Sequence, residues 1–236
     1  MRPEPDVETS SDDYAQRFSG PVGHFLLETQ ARATLDLLRP WPGTRVLDLG
    51  GGHGQLTGPL VDAGHDVTVY GSSPGCARRV RPWTGRGLAR FVSGELLRTP
   101  FRDRAFDIAI SYRLLPHLAA WRELVVELCR VAGRAVLVDY PTSRSVNAAA
   151  GALFGAKQRV EGNARPFAVF RDAEVEAAFT AAGFEPTGRR PQFLMPMALH
   201  RALGSGGLSR VLESGAGALG LTRLLGSPVI LRAERG

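Results

Sequence analysis

The sequence contains only two cysteines and one lysine among its 236 residues, and it has no long uninterrupted hydrophobic run. Cys76 and Cys129 are far apart, so they form neither a disulfide framework nor a metal-ligand pattern, and they predict free thiols in a reducing compartment. No stretch has the length and apolarity of a transmembrane helix, and the acidic N-terminus does not resemble a signal peptide. These absences predict a cytoplasmic protein with no membrane span and no bound metal.

The shortage of lysine means that nearly all the positive charge comes from arginine. The net charge is +6 and the pI is about 10.1, which raises the question of a nucleic-acid partner. The arginines are scattered, with short pairs such as Arg78 and Arg79 and no basic run interleaved with aromatic residues. We interpret them as a solvated basic surface that does not favour nucleic acid, and an RNA-facing side stays open as the alternative.

Glycine is abundant where one predicted strand ends and a helix begins. The apolar run from Val46 to Leu49 predicts a buried strand, and glycines at 50, 51, 52 and 54 end it before a helix whose apolar residues extend from Leu56 to Ala63. Asp48 is an acid within this apolar strand, so it needs partners such as loop amides. The pattern predicts a loop whose bare backbone holds a ligand, with a tight turn that binds nothing as the alternative.

Strands and helices continue to alternate towards residue 183. Further strands are predicted at 66–70, 88–93, 106–111, 135–138, 184–189 and 228–232. This alternation requires right-handed crossovers and a mainly parallel sheet covered on both faces. Ligands of such sheets lie beyond the carboxyl ends of the strands, which places four stretches there: 50–54, 71–73, residue 95 and 111–117.

Three stretches carry a family resemblance. VLDLGGGHG at 46–54 resembles the first motif of class I S-adenosylmethionine-dependent methyltransferases, whose loop wraps the methionine part of the cofactor. SGELLRTPFRDRAFDIAISYRLLPHL at 93–118 is similar to the quinone-biosynthesis branch, also called methyltransferase type 11, in which an acid after glycine contacts the adenine amino group. VTVYGSSP at 67–74 resembles the second motif, except that Gly71 stands where the family has a ribose-binding acid.

The resemblance implies an α/β fold, a Rossmann-like doubly wound seven-stranded mostly parallel sheet with an antiparallel last strand, an N-terminal helical cover and helical insertions. It implies S-adenosyl-L-methionine as the cofactor. The cofactor-binding residues that it implies are Tyr14, Asp48, Gly50, Gly51, Gly52, Gly71, Ser72, Glu95, Leu96 and Ser111.

The domain prediction is a disordered arm at 1–11 followed by one methyltransferase domain at 12–236. Within this domain we predict a helical cover at 12–39, a cofactor-binding core at 44–140 and substrate-side insertions at 141–170 and 191–222. The stretch 144–170 mixes basic and apolar side chains, which suits either a lid over a partly apolar substrate or a packed helix with solvated arginines.

The leading hypothesis is methylation of a small molecule, expected to be O-methylation in biosynthesis or secondary metabolism. His117 is predicted as a general base, because histidine titrates near neutral pH, and its alternative role is structural, at the start of the next helix. Tyr112 and His24 are weaker candidates. Two alternatives stay open: an RNA methyltransferase and a non-catalytic protein that keeps the fold. The missing acid at Gly71 favours the non-catalytic protein. The oligomeric state is left open, a homodimer included.

Overall fold

The computed structural model describes residues 4–146 and 167–236, and this part of the chain contains one seven-stranded sheet. In chain order the strands are β1 (Arg45–Leu49), β2 (Asp66–Gly71), β3 (Ala89–Ser93), β4 (Phe106–Ser111), β5 (Ala132–Tyr140), β6 (Phe184–Pro191) and β7 (Val229–Arg235). Across the sheet their order is β3-β2-β1-β4-β5-β7-β6.

The strands β1 to β5 pair in parallel, and β7 is antiparallel to both of its neighbours, β5 and β6. The predicted Rossmann-like, mostly parallel seven-stranded sheet with an antiparallel last strand is therefore confirmed. The strand order reverses between β1 and β4, where the chain first builds outwards to β3 and then returns. A cleft opens at the carboxyl ends of strands at such a reversal.

The helices lie before, between and after these strands. In chain order they are α1 (Pro5–Thr9), α2 (Asp12–Gln16), α3 (Gly20–Leu38), α4 (Thr57–Asp62), α5 (Arg81–Thr84), α6 (Trp121–Val131), α7 (Asp172–Ala181), α8 (Met197–Leu203), α9 (Gly206–Ala218) and α10 (Leu221–Leu225). Short 3-10 turns occur at Gly51–His53, Pro74–Val80 and Leu115–His117. No helix of the described ranges is long and apolar enough to cross a membrane.

The hydrophobic core occupies both faces of the sheet, because successive side chains of a strand point in opposite directions. Along β1, Val46 belongs to one buried cluster and Leu47 to the other. In α6 the residues Leu124, Val125 and Leu128 are fully buried, as their one-face spacing predicts. Helices on both faces thus leave the strand ends as the place where ligands can reach the sheet.

The helix α3 begins earlier than the sequence indicated. We expected Gly20, Pro21 and Gly23 to interrupt the chain before a helix at 24–39, whereas α3 begins at Gly20 and continues to Leu38. Proline is tolerated in the first turn because the amide of that turn needs no intrahelical partner. The middle of this helix reaches the strand ends, where Gln30 contacts Asp139 of β5 and Thr34 contacts Tyr112 after β4. Most of the insertion predicted at 141–170, namely residues 147–166, lies outside the described residues.

Candidate functional site

A glycine loop closes the carboxyl end of β1 and forms the floor of the candidate site. Gly50 and Gly54 have φ angles of 79° and 77°, a left-handed conformation that residues with a side chain rarely adopt. A Cβ on Gly51 would lie 2.1 Å from Oδ2 of Asp48, so a side chain there would expel this carboxylate. The structure thus has the predicted sequence of strand, glycine turn and helix, with Asp48 beneath the turn.

Asp48 is an unusually buried acid. Its side chain lies in the wall of a small cavity under the loop, and burial raises its pKa from 3.8 to about 7. The carboxylate therefore accepts a proton more readily in the folded protein than in the unfolded chain, which makes stability depend on pH.

Replacing Asp48 with asparagine is expected to stabilise the protein more at pH 8 than at pH 5. The folded protein keeps the Asp48 proton up to about pH 7, and the unfolded chain loses it near the ordinary aspartate pKa of 3.8. Wild-type stability therefore falls with rising pH between these values. Asparagine does not titrate. The difference in the free energy of unfolding between Asp48→Asn and the wild type should therefore be about 2–3 kcal/mol larger at pH 8 than at pH 5. Urea denaturation at both pH values measures it.

The matched control for this prediction is Asp62→Asn, which removes an exposed carboxylate from the helix that follows the loop. Its effect should differ little between the two pH values. A pH-independent effect of Asp48→Asn would show that hydrogen bonds or charges in the folded protein offset the effect of burial on the pKa of Asp48.

The helix α1 lies in the groove between the ends of β1 and β2. Asp6 of this helix is fully buried, and its carboxylate accepts hydrogen bonds from the backbone N and the Oγ of Ser72, each at 2.6 Å. The Sγ of Cys76 lies 3.5 Å from the same carboxylate. Three groups at the end of β2 therefore hold one acid from the N-terminal segment.

The same segment covers the glycine loop. A Cβ on Gly52 would lie 2.2 Å from Oγ of Ser10, and Thr9 is part of the wall beside Gly50 and Gly51. The cavity that remains there is about 10 Å³. A cavity needs roughly 10–15 Å³ of such space to hold one water molecule, so this one has no room for a larger ligand. In this conformation α1 fills the groove.

For the described residues 4–11 this placement differs from the predicted disordered arm at 1–11. Residues Pro5–Thr9 form a helix, and the side chains of Pro5, Asp6 and Thr9 are buried. The acidic composition of the segment gave no sign of this, because the groups that receive Asp6 lie more than sixty residues away in the sequence. A local pattern cannot indicate such a contact.

The end of β2 has no room for the acid that the family pattern requires at position 71. A Cβ on Gly71 would lie 2.7 Å from Cβ of Cys76 and 3.4 Å from Oδ2 of Asp6. A side chain there would force the turn that carries Cys76 to shift. The groove consequently receives its carboxylate from α1 and not from β2.

The remaining predicted cofactor residues are spread along the same edge. Glu95 is exposed just after β3, beside Gly71, since the N of Gly94 donates to the carbonyl O of Gly71 at 3.0 Å. Leu96 is buried in the core. Ser111, at the end of β4, is fully buried, and its Oγ has no hydrogen-bond partner among the described residues. Tyr14 instead belongs to a larger cavity next to the groove.

That larger cavity has a volume of about 790 Å³ and is bounded by α2, α3, the loop after β4, the end of β5 and α8. Its wall is mainly apolar, and the apolar side chains include Phe18, Leu26, Phe167, Phe193, Met195 and Met197. Among its polar side chains, Tyr14, Arg113 and His117 are half-buried and the others are buried. A cavity of this size and lining suits a small, largely apolar molecule.

Arg113 connects the cavity and the groove, because it lines both. Its φ of 61° is uncommon for a residue other than glycine, and its backbone N donates to Oδ1 of Asp139 at 2.5 Å. Its guanidinium donates to Oε1 of Gln30 at 3.2 Å and lies 4.1 Å from the ring centre of Phe18. Strained backbone held this firmly is a frequent feature of functional sites.

Asp139 completes this network at the end of β5. Gln30 donates from Nε2 to its Oδ2 at 2.9 Å, and burial raises its pKa to about 6 although the Arg113 amide, the Arg113 charge and Gln30 oppose the rise. We had assigned no role to Asp139, Gln30 or Arg113 from the sequence. The one available signal was the position of Asp139 and Arg113 directly at or after a strand end.

His53 is a buried histidine within the glycine loop. Its ring lies edge-on to Tyr14 and Phe18, with centroid distances of 5.7 Å to each. Burial, followed by the nearby positive charges of Arg113 and Arg79, lowers its pKa to about 3. His53 is therefore neutral near pH 7, and it packs the loop against α2.

The predicted catalytic residues occupy different surroundings. His117 lies in the wall of the large cavity, with its ring 5.6 Å from that of Phe167. Tyr112 lines the small cavity under the loop and is not among the described residues of the large cavity's wall. Its hydroxyl group lies 2.9 Å from Oγ1 of Thr34, and burial raises its pKa well above 10. His24 is exposed on α3. The geometry therefore favours His117 over the other two.

Residues 47–138 match the family model described as a methyltransferase domain. A demethylmenaquinone methyltransferase of Beutenbergia cavernae is 36% identical over 147 residues, which are 58% of this chain and 59% of that protein. A ubiquinone biosynthesis O-methyltransferase of Rhizobium leguminosarum bv. trifolii is 29% identical over 170 residues, 67% of this chain and 66% of that protein. The chain thus spans about three-fifths to two-thirds of these relatives.

Solved structures show the same fold over nearly the whole chain. Magnesium protoporphyrin IX methyltransferase of Synechocystis PCC 6803, solved with bound SAH, has a TM-score of 0.66 at 15% identity and covers 98% of both chains. A [4+2]-cyclase, SpnF, has a TM-score of 0.59 at 20% identity and covers 87% of this chain and 80% of that chain. Residues 47–138 therefore match a methyltransferase domain, and the resemblance to the quinone-biosynthesis branch of class I S-adenosylmethionine-dependent methyltransferases is confirmed.

Proposed function

We propose that the chain is an S-adenosylmethionine-dependent methyltransferase acting on a small, largely apolar molecule that carries a hydroxyl group. The observation that carries the proposal is the glycine loop over Asp48, at the strand reversal and inside the segment that matches the methyltransferase family. A glycine loop at this point lets a ligand lie against the backbone. The names of the curated relatives support a small-molecule substrate.

The groove fits this cofactor in its donor groups, and α1 occupies the space that the cofactor needs. The amides of Gly51 and Gly52 would hold the methionine part, since the amide of Gly50 already donates to the carbonyl O of Tyr70 at 2.8 Å. The amide of Ser72 with Glu95 would hold the nucleoside part. Cofactor binding therefore requires α1 to leave, because the Ser72 amide is bonded to Asp6. When bound, the cofactor supplies an activated methyl group, and the protein's main task is to align the accepting atom with it.

The large apolar cavity is the proposed substrate site. His117 in its wall would accept the proton of the substrate hydroxyl group as the methyl group arrives, which is the part that a general base has in O-methylation. Arg113 would stabilise the negative charge that develops on the oxygen; its Nη1 is buried and lacks a hydrogen-bond partner in the described ranges. Both side chains belong to the wall nearest to β4.

Binding of S-adenosylhomocysteine tests the proposal. At 100 times its dissociation constant the ligand should stabilise the protein by about 2.7 kcal/mol, which corresponds to a rise in Tm of roughly 5–11 °C for a chain of this size. Calorimetry and thermal melting measure it. Gly52→Val should abolish the shift, since its Cβ would lie 2.8 Å from the carbonyl O of Cys76 and displace the loop. No heat and no shift at millimolar ligand, with the wild type and also with an Asp6→Ala variant that frees the groove, would refute the proposal.

A protein that uses this fold without transferring a methyl group is the second candidate. The filled groove favours it, and a [4+2]-cyclase shares the fold. Transfer of radiolabelled methyl groups to hydroxylated apolar molecules separates the two. An RNA methyltransferase has less support, because many arginines are engaged in ion pairs; tight binding of tRNA that resists added salt would favour it.

A further inference from the structure

The helix α9 turns its apolar side towards solvent. Leu208, Val211 and Leu212 follow the i, i+3, i+4 spacing of one helical face, and all three are exposed, Val211 to 68%. Leu219 continues this face beyond the end of the helix and is 77% exposed. In an ordinary surface helix this stripe would pack on the core.

The opposite side of α9 is polar and faces the protein. Ser209 is fully buried, and the buried carboxylate of Glu213 accepts hydrogen bonds from the backbone N of Leu194 and of Met195, at 2.9 and 3.0 Å. Nε2 of His200 lies 3.0 Å from the same carboxylate. These contacts fix the rotation of the helix, so the exposure of its leucines is set by the folded structure.

The exposed apolar side chains continue onto α10. Leu221, Leu224 and Leu225 are exposed, Leu224 to 60%. We call the side chains that α9, Leu219 and α10 present to solvent the leucine face. Its members are Leu208, Val211, Leu212, Leu219, Leu221, Leu224 and Leu225. A connected apolar surface of this kind on a folded domain marks an interaction site.

The exposed charges on the segment that carries the leucine face have one sign. Between residues 195 and 226 the sequence contains three arginines and a single acid, and that acid is the buried Glu213. Arg223 lies on α10 itself, and Arg210 on α9 also contacts Glu28 of α3 at 3.1 Å. A leucine-rich face flanked by arginines and without exposed acids of its own is complementary to an anionic apolar surface.

We propose that the leucine face binds the surface of an anionic lipid bilayer. Helices with an apolar face and basic flanks lie in the boundary between headgroups and acyl chains, and nearby arginines add attraction to anionic lipids. A second copy of the chain fits less well, because a symmetric contact would bring the same arginines together. Met197 is both partly exposed beside α9 and part of the cavity wall, so the apolar surface continues towards the cavity.

Sedimentation of the full chain with vesicles tests the proposal. Vesicles of phosphatidylcholine with about one-third phosphatidylglycerol should bind the protein, and pure phosphatidylcholine should bind it at least about fivefold more weakly. The double variant Val211→Ser, Leu219→Ser should bind the anionic vesicles at least about tenfold more weakly, because both side chains would lose burial among acyl chains. Since both residues are highly exposed, the variant should fold normally.

Val126→Ser is the matched control, because Val126 is 59% exposed on α6, outside the leucine face, and its loss should leave vesicle binding unchanged. Arg223→Gln should weaken binding to anionic vesicles about fivefold and leave binding to neutral vesicles unchanged. Absence of vesicle binding, or equal binding by the double variant, overturns the proposal. So does a dimer in sedimentation velocity that the double variant disrupts, which would assign the leucine face to a second copy.

Discussion

Asp6→Ala is expected to tighten binding of S-adenosylhomocysteine by at least about a hundredfold. In the wild-type groove the Asp6 carboxylate accepts two hydrogen bonds from Ser72, and each bond to a charged acceptor contributes about 1.5–3 kcal/mol. Removing both shifts the equilibrium of α1 towards the conformation in which the groove is open. The apparent affinity for the ligand rises by the same factor as the population of the open conformation, until that conformation predominates.

Isothermal titration calorimetry on the full chain measures this change. Glu4→Ala is the matched control, since it removes a negative charge from the same segment, but its side chain is exposed at the start of α1. It should leave the affinity unchanged. Weaker binding by Asp6→Ala would mean that Asp6 contacts the ligand, as the missing acid at position 71 would have done. Unchanged binding would mean that α1 leaves the groove at no cost.

Hydrogen exchange gives a second readout of the same prediction. If α1 competes with the ligand, adding S-adenosylhomocysteine should slow exchange at Gly50 to Gly54 and accelerate it at residues 5–10. A lid that closes over the ligand would slow exchange in both segments. The binding measurements separate this prediction from the proposed activity. If neither the wild type nor Asp6→Ala binds the ligand, the result argues against methyl transfer. If both bind it equally, the result argues only against competition by α1.

The sheet and the glycine loop could be predicted from the sequence because their signals are local. The strand Phe106–Ser111 agrees with its prediction residue for residue, since an apolar run and its flanking turns are contiguous in the chain. The same holds for the loop at 50–54, where Gly50 and Gly54 need a conformation that few other residues adopt. Periodicity and turn chemistry suffice for features of this kind.

The contents of the site could not be predicted, because they depend on contacts between distant parts of the chain. Asp6 meets Ser72 across 66 positions, and Arg113 meets Gln30 across 83. The packing of α9 is a further case. Periodic leucines usually mark the buried face of a helix, but here Glu213 faces the protein through contacts with residues 194, 195 and 200 and leaves the leucines exposed. Tertiary contacts overrule helical periodicity there.

His117→Ala is expected to lower the rate of methyl transfer by about 10²–10⁴-fold, the usual contribution of a general base. The side chain lies in the wall of the apolar cavity, after the strand end nearest to the glycine loop. Its loss should leave the affinity for S-adenosylhomocysteine nearly unchanged, because His117 is no part of the groove. Single-turnover measurements with a hydroxylated substrate test the rate when chemistry is limiting.

His24→Ala is the matched control for this prediction, since His24 is exposed on α3 and should not affect the rate. The pH profile supplies a readout that a purely structural role would not produce. In the wild type the rate should rise with pH as the imidazole loses its proton, and in His117→Ala that rise should disappear while a much lower, pH-insensitive rate remains. A rate loss below about threefold with the pH profile retained would assign His117 to packing against Phe167, because a base that supplies the usual 10²–10⁴-fold cannot be removed at so small a cost.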